Sequence, residues 1–198
     1  VIPRSKIVAV GKNYADHAKE MGSEVPKEPI IFLKPNTSVI GPGDTIVWPA
    51  MAPTIDYEAE LAVVIGRVCK DVPKERVHEV IYGYTLANDI TCRELQKSDG
   101  QWARAKGFDT FCPIGPWIET DFIPGTQRIF SEVNGEIRQD ATLDQMIFSV
   151  SEIVVFVSQI MTLLPGDVII TGTPAGIGPL IERGNVVVGV EGLGQLTN

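Results

Sequence analysis

The run TIDYEAELAVVIG, residues 54 to 66, puts three acids, Asp56, Glu58 and Glu60, at the head of an apolar, strand-forming block that stops at Gly66. Side chains alternate faces along a strand, so Glu58 and Glu60 project to the same side. Two carboxylates one pleat apart repel unless a proton or a cation sits between them. Asp89, in LANDIT, ends a second apolar run and offers a third carboxylate. Joined to the same-face pair, it makes an all-oxygen donor set suited to Mg2+, Mn2+ or Ca2+ rather than Zn2+. The spacing by itself equally fits a solvated sheet edge and a strand-end Asp bonding its own turn.

His17 and Glu20 lie three apart in DHAKEMG. On a helix that spacing shares a face, and a carboxylate there orients and polarises an imidazole, the arrangement of a general base. A solvated helix face has the same pattern. Lys106, in RAKGFDTF, and Arg93 with Gln96, in CRELQ, stand close to the acids in sequence. The stretch TGTPAGIG (171–178) is glycine-rich but lacks the Gly-Lys-Ser/Thr of a P-loop. It reads as a tight turn or as a loop whose N–H groups meet a substrate carboxylate. His78 reads as a surface residue, and the two histidines and three cysteines show no zinc spacing.

These residues need elements to hold them. SKIVAVGKNY reads as a strand ending at Gly11, and DHAKEMG as one or two helical turns closed by Gly22. IIFLKP is expected to be a buried strand stopped by Pro35, and TIVWP a further strand after the GPGD turn. PKERVHEVIYGY carries Val77, Val80 and Ile81 at helical spacing. KSDGQWARAKGFDTFCPIGP is expected to be rich in loop. SEIVVFVSQIMTLLPGD has the strongest helical periodicity, with Ser151 as its expected N-cap. VIITG reads as a strand and NVVVGVEGLGQL as a closing strand pair. Many short strands, few helices and no regular βαβ alternation point to a β-rich α+β fold.

A chain of 198 residues is long enough for one domain with a sizeable core. The net charge of −8, with no basic stripe, argues against nucleic acid and anionic membranes as partners. Cys69, Cys92 and Cys112 form no CxxC pair, which favours free thiols in a reducing, cytoplasmic compartment. The apolar runs are too short to span a bilayer, and no signal peptide is visible. Because the first residue is Val, a small segment upstream of residue 1 is expected.

In series, GKNYADHAKEMG, IFLKP, DYEAELAVVIG, ANDITCRELQ, AKGFDTFCPIGP, PGDVIITGTPAGIG and VEGLG resemble the fumarylacetoacetate hydrolase family, in family order over nearly the whole chain. The resemblance implies a roll of mixed β-sheet with a few short helices, commonly a homodimer. It implies that Glu58, Glu60 and Asp89 are ligands of Mg2+ or Mn2+. It assigns His17 and Glu20 to a catalytic pair on a short lid helix and Lys106 to an active-site lysine. It places Arg93, Gln96 and Thr173 at the substrate. A further aspartate ligand of the family's namesake has no counterpart here, which leaves that position to water.

The expected activity is cleavage of a C–C bond in a small 2-oxo acid through an enolate, by acylpyruvate hydrolysis or oxaloacetate decarboxylation. Isomerisation or tautomerisation of a hydroxymuconate-type dioate, in aromatic catabolism, shares that intermediate and is the nearest alternative. A metal-binding scaffold without turnover is the alternative of another class.

Overall fold

Strand β5 (Ala59–Ile65) is apolar on both sides of its acid, and it lies near the middle of the main sheet. In the computed structural model, which describes residues 6–198, the seven strands of that sheet run β2 (Ile30–Lys34), β1 (Ile7–Gly11), β10 (Val168–Ile170), β5, β6 (Ile81–Asn88), β7 (Cys112–Glu119) and β3 (Val39–Ile40). Ser5, at the head of the expected first strand, lies outside the described residues. The β1–β10 and β3–β7 pairs are parallel and the other pairs antiparallel. A second, antiparallel sheet runs β13 (Gly194–Thr197), β12 (Val186–Val190), β8 (Arg128–Val133), β9 (Glu136–Thr142). A short pair joins β4 (Asp56–Tyr57) to β11 (Gly178–Pro179). The helices are α1 (Ala15–Glu20), α2 (Arg93–Asp99), α3 (Ala103–Lys106) and α4 (Val150–Ile160). The fold is thus a β-rich α+β architecture of mixed sheet with few short helices.

Alternation along β5 separates two apolar layers. Leu61, Val63 and Ile65 face the larger core, with Val8 and Val10 of β1, Ile129 and Val188 of the second sheet, and Ile153 and Val157 of α4. Ala62 and Val64 face a smaller layer with Ile7, Ala9, Val168, Ile170 and Ala87. Glu58 and Glu60 are in phase with Ala62 and Val64, so they extend the smaller layer at its end.

Several sequence expectations are corrected. Residues 45–49, TIVWP, form no strand. The PKERVHEV segment is a 3-10 helix over Lys74–Glu79, and IYGY that follows it opens β6; the helical spacing of Val80 and Ile81 was therefore fortuitous. The stretch expected to be loop holds α3 and the start of β7, and CRELQ begins α2. The strand IIFLKP is an edge, with Leu33 half exposed; Lys34 is its buried member. The N-cap of α4 is Ser149, not Ser151: Ser149 and Glu152 form a reciprocal capping box, which satisfies two otherwise orphan donors. No helix among the described residues is long and apolar enough to cross a membrane.

Candidate active site

The register of β5 on β6 builds the acidic cluster. Ala59 lies opposite Asn88 and Glu60 opposite Ala87, so Glu58, Glu60, Ala87 and Asp89 share one face at the strand ends. The small Ala87 leaves room beside Glu60. The ladder continues into Asp89, whose N–H donates to the Glu58 carbonyl at 2.9 Å. Side-chain acceptors replace missing strand partners: Asn88 Oδ1 takes the Glu58 N–H and Gln139 Oε1 the Ala59 N–H, each at 2.9 Å. Carboxylate oxygens of Glu58, Glu60 and Asp89 all lie within 4.8 Å of one another, and all three residues are buried.

Cations crowd this cluster. Lys106 Nζ, at the end of α3, donates to Glu58 Oε2 at 2.8 Å and to Asp89 Oδ2 at 2.6 Å. Arg93, at the start of α2, donates to Asp56 Oδ2 and Gln96 Oε1, each at 2.9 Å, and to Glu58 Oε1. Lys34, fully buried at the end of β2, donates to Asp89 Oδ1. Four buried carboxylates, counting Asp56, therefore face three cations, and Glu60 has no ion pair among the described residues. Its Oε2 accepts the Gly172 N–H at 2.6 Å. Gly172 has a φ of +95°, and a Cβ there would stand 2.6 Å from Asn13 Cβ, so only glycine brings this N–H to Glu60.

The electrostatics follow from these neighbours. Burial works to raise the Glu58 pKa, but Lys106, Arg93 and His17 outweigh it and hold the carboxyl well below its ordinary range. Burial, reinforced by the Asp89 and Glu58 carboxylates, pushes Glu60 well above its ordinary value. Burial opposes the charge on Lys106, yet Asp89 and Glu58 raise its pKa overall. An all-oxygen set with one uncompensated carboxylate fits a hard divalent cation.

Helix α1 brings the second group of residues to the cleft. His17 is 4% exposed, and its Nδ1 lies 3.2 Å from Glu20 Oε2. Glu20 Oε1 accepts the Gly176 N–H at 3.1 Å, which ties α1 to the loop after β10. His17, Arg93, Gln96, Lys106 and Thr173 line one cleft with Glu58, whose free volume is about 20 Å3, the space of one water. Thr173 donates its hydroxyl proton to the Ala59 carbonyl at 2.8 Å and accepts from Gln139 Nε2 at 2.7 Å, so its oxygen is already engaged. His78 is exposed and remote from the cleft.

Lys34, Asn88 and Gln139 complete the site and were not singled out from sequence; Asp56 pairs with Arg93 rather than joining the acidic cluster, and the TGTPAGIG loop gives its Gly172 N–H to Glu60. A lysine ending the apolar run IIFL was a usable signal for Lys34. Gln139 carried none, because it arrives from a hairpin far along the chain.

Residues 6–198 match the family model described as fumarylacetoacetate (FAA) hydrolase C-terminal. Protein Rv2993c of Mycobacterium tuberculosis is 54% identical over 197 residues, which are 98% of this chain and 74% of that protein. The structure of a 5-carboxymethyl-2-hydroxymuconate delta-isomerase from Mycobacterium smegmatis superposes with a TM-score of 0.93 at 54% identity, over 100% of this chain and 78% of that one. That of a fumarylpyruvate hydrolase from Pseudomonas aeruginosa, in complex with Mn2+ and pyruvate, gives a TM-score of 0.91 at 35% identity, over 99% and 89%. Sequence match, fold and the order of the motifs agree, and this chain belongs to the fumarylacetoacetate hydrolase family.

Proposed function

We propose that this chain is a divalent-cation-dependent enzyme that cleaves a C–C bond of a small 2-oxo acid, by acylpyruvate hydrolysis, oxaloacetate decarboxylation or both. The observation that carries this reading is a cluster of three buried carboxylates whose member Glu58 lines the same cleft as His17, itself paired with Glu20. A cation held by Glu58, Glu60 and Asp89, which we assign as Mg2+ or Mn2+, would supply a Lewis acid toward the carboxylate and 2-oxo oxygens of such a substrate and stabilise charge developing there.

The chain's own groups do the rest. With Nδ1–H donated to Glu20, His17 keeps a lone pair on Nε2, the tautomer a general base needs. There it takes a proton from water as the water oxygen bonds to C4 of an acylpyruvate. The C3–C4 bond breaks, its electrons pass toward the 2-oxo group, and the proton returns to C3 to give pyruvate and a carboxylic acid, which releases its remaining proton to water. Lys106 and Arg93 offset the carboxylates of the site and hold an anionic substrate. Gln96, fixed by Arg93, offers its amide to the same substrate.

Isomerisation of a hydroxymuconate-type dioate is the second reading, favoured by the 54% identity to the Mycobacterium smegmatis isomerase. There His17 would move a proton between carbons and no water would be consumed. The test is pyruvate release from acetylpyruvate and from oxaloacetate, alongside the ultraviolet change of 5-carboxymethyl-2-hydroxymuconate, in Mg2+ and after chelation. Pyruvate formed only with Mg2+ supports C–C cleavage. A spectral change without pyruvate supports the isomerase. No cation-dependent turnover of any of the three leaves a metal-binding scaffold.

A further inference from the structure

Asp56 lies outside the group of three carboxylates suited to a cation, yet it is buried, and its Oδ2 accepts Arg93 Nε at 2.9 Å. Arg93 lines the cleft with Gln96 and Glu58. Its Nη1 donates to Gln96 Oε1 at 2.9 Å and its Nη2 to Glu58 Oε1. A guanidinium carries about five N–H groups, so one on each terminal nitrogen is left for a ligand.

The Asp56 carboxylate is not needed to seat helix α2. The main chains of Asp56 and Thr91 exchange two hydrogen bonds, at 2.8 and 3.0 Å, just before α2 begins. In the first turn, the Thr54 hydroxyl donates to Glu94 Oε1 at 2.8 Å. Nor does a buried ion pair add much stability over packed apolar side chains, because desolvation offsets its attraction. What the carboxylate does fix is the guanidinium. Both oxygens of Glu58 are shared, Oε1 with Arg93 and Oε2 with Lys106. A divalent cation at the acidic cluster attracts the same oxygens and repels both side chains. Lys106 then has only Asp89, itself one of the three, whereas Arg93 keeps Asp56.

We propose that Asp56 is a positioning residue that acts through Arg93: it keeps the guanidinium at the cleft when Glu58 is drawn to the cation, so that the freed Nη2 receives the carboxylate of a 2-oxo acid. The inference rests on the 2-oxo acid reading above and extends it to a residue outside both the three carboxylates and the His17–Glu20 pair. Without the charge of Asp56, Glu58 is the remaining carboxylate partner of Arg93, and the guanidinium stays on it, closed to substrate.

The experiment is a double-mutant cycle read by calorimetry, with oxalate as the probe and the intact protein saturated with Mg2+ in every variant. Oxalate presents two adjacent oxygen donors to a cation, as a 2-oxo acid does, and has no C3–C4 bond to cleave. Asp56→Asn should weaken oxalate binding about tenfold, and so should Arg93→Met. In the Arg93→Met background, Asp56→Asn should change the affinity by about twofold at most. Asp56→Ser, smaller and uncharged, should behave as Asp56→Asn does, and it replaces that variant if the amide does not fold. Oxalate binding that Asp56→Asn leaves unaltered overturns the proposal. So does a loss that persists in full in the Arg93→Met background, because Asp56 would then act through the fold or the cation rather than through Arg93. If the unaltered protein in Mg2+ binds no oxalate, the 2-oxo acid reading itself falls, and the role of Asp56 falls with it.

Discussion

A lysine ammonium removed from water must keep its carboxylate, and Lys34 does so with Asp89. Asp89 would retain Lys106 if Lys34 were lost, but the pocket made for the first ammonium would leave one carboxylate oxygen buried and unpaired. Breaking one side of a buried pair costs about 3–5 kcal/mol. We expect Lys34→Met to lose stability at the lower end of that range in urea unfolding; a change under about 0.5 kcal/mol would show that Asp89 does not need it. Two other substitutions separate the proposed roles at the cleft. Asp89→Ala should abolish Mg2+ binding in calorimetry. His17→Ala should keep Mg2+ affinity within a few-fold and lose acylpyruvate hydrolysis by about 100-fold or more, the usual worth of a general base. Loss of Mg2+ affinity in His17→Ala would move that residue from base to ligand.

Among the elements, the loop after β10 ties three things together: Gly172 holds Glu60, Thr173 holds β5, and Gly176 holds Glu20. Gly172→Ala forces a Cβ into Asn13 at a positive φ, so the loop must shift and Glu60 must lose its N–H. Weaker Mg2+ binding, by about tenfold, is the expected result, within the range for lost outer-shell partners; unchanged affinity would free Glu60 from dependence on this loop. Helix α4 depends on its cap. The Ser149 hydroxyl and backbone N–H, then Lys74, pull the Glu152 pKa from 4.5 down to about 2. A lowered carboxyl contributes stability that is present above pH 4.5 and disappears as the pH falls toward 2. Ser149→Ala should cost about 1 kcal/mol at pH 7. Glu152→Gln should flatten this acid-dependent loss in urea melts at pH 5 and pH 3; an unchanged slope would assign that loss elsewhere. The missed cap illustrates what periodicity leaves open: Ser149 and Ser151 both precede the apolar stripe, and the reciprocal bond to Glu152 decides between them.

For the molecule as a whole, the proposed cation should be a folding ligand as well as a reagent. The unfolded chain cannot assemble Glu58, Glu60 and Asp89 with the Gly172 loop, so binding favours the folded form. At a hundred times its Kd, Mg2+ should add about 2.7 kcal/mol, which for a chain of this size raises Tm by about 5–10 °C. Thermal melts with Mg2+ and with chelator check this, and coincident curves would argue against a filled site. Much is legible in the sequence. The two-residue period of a strand puts Glu58 and Glu60 on one face, and their oxygen-only chemistry points to a hard cation whatever the surrounding fold. The order of the motifs identified the family. Sequence by itself could not say that Asp89 lies across from Glu58 or that Lys34 closes an edge strand onto it. Those facts depend on how β5 pairs with β6 and how β1 lies against β10. Pairing between strands far apart in the chain is decided by burial of the whole apolar layer, not by any local run of residues.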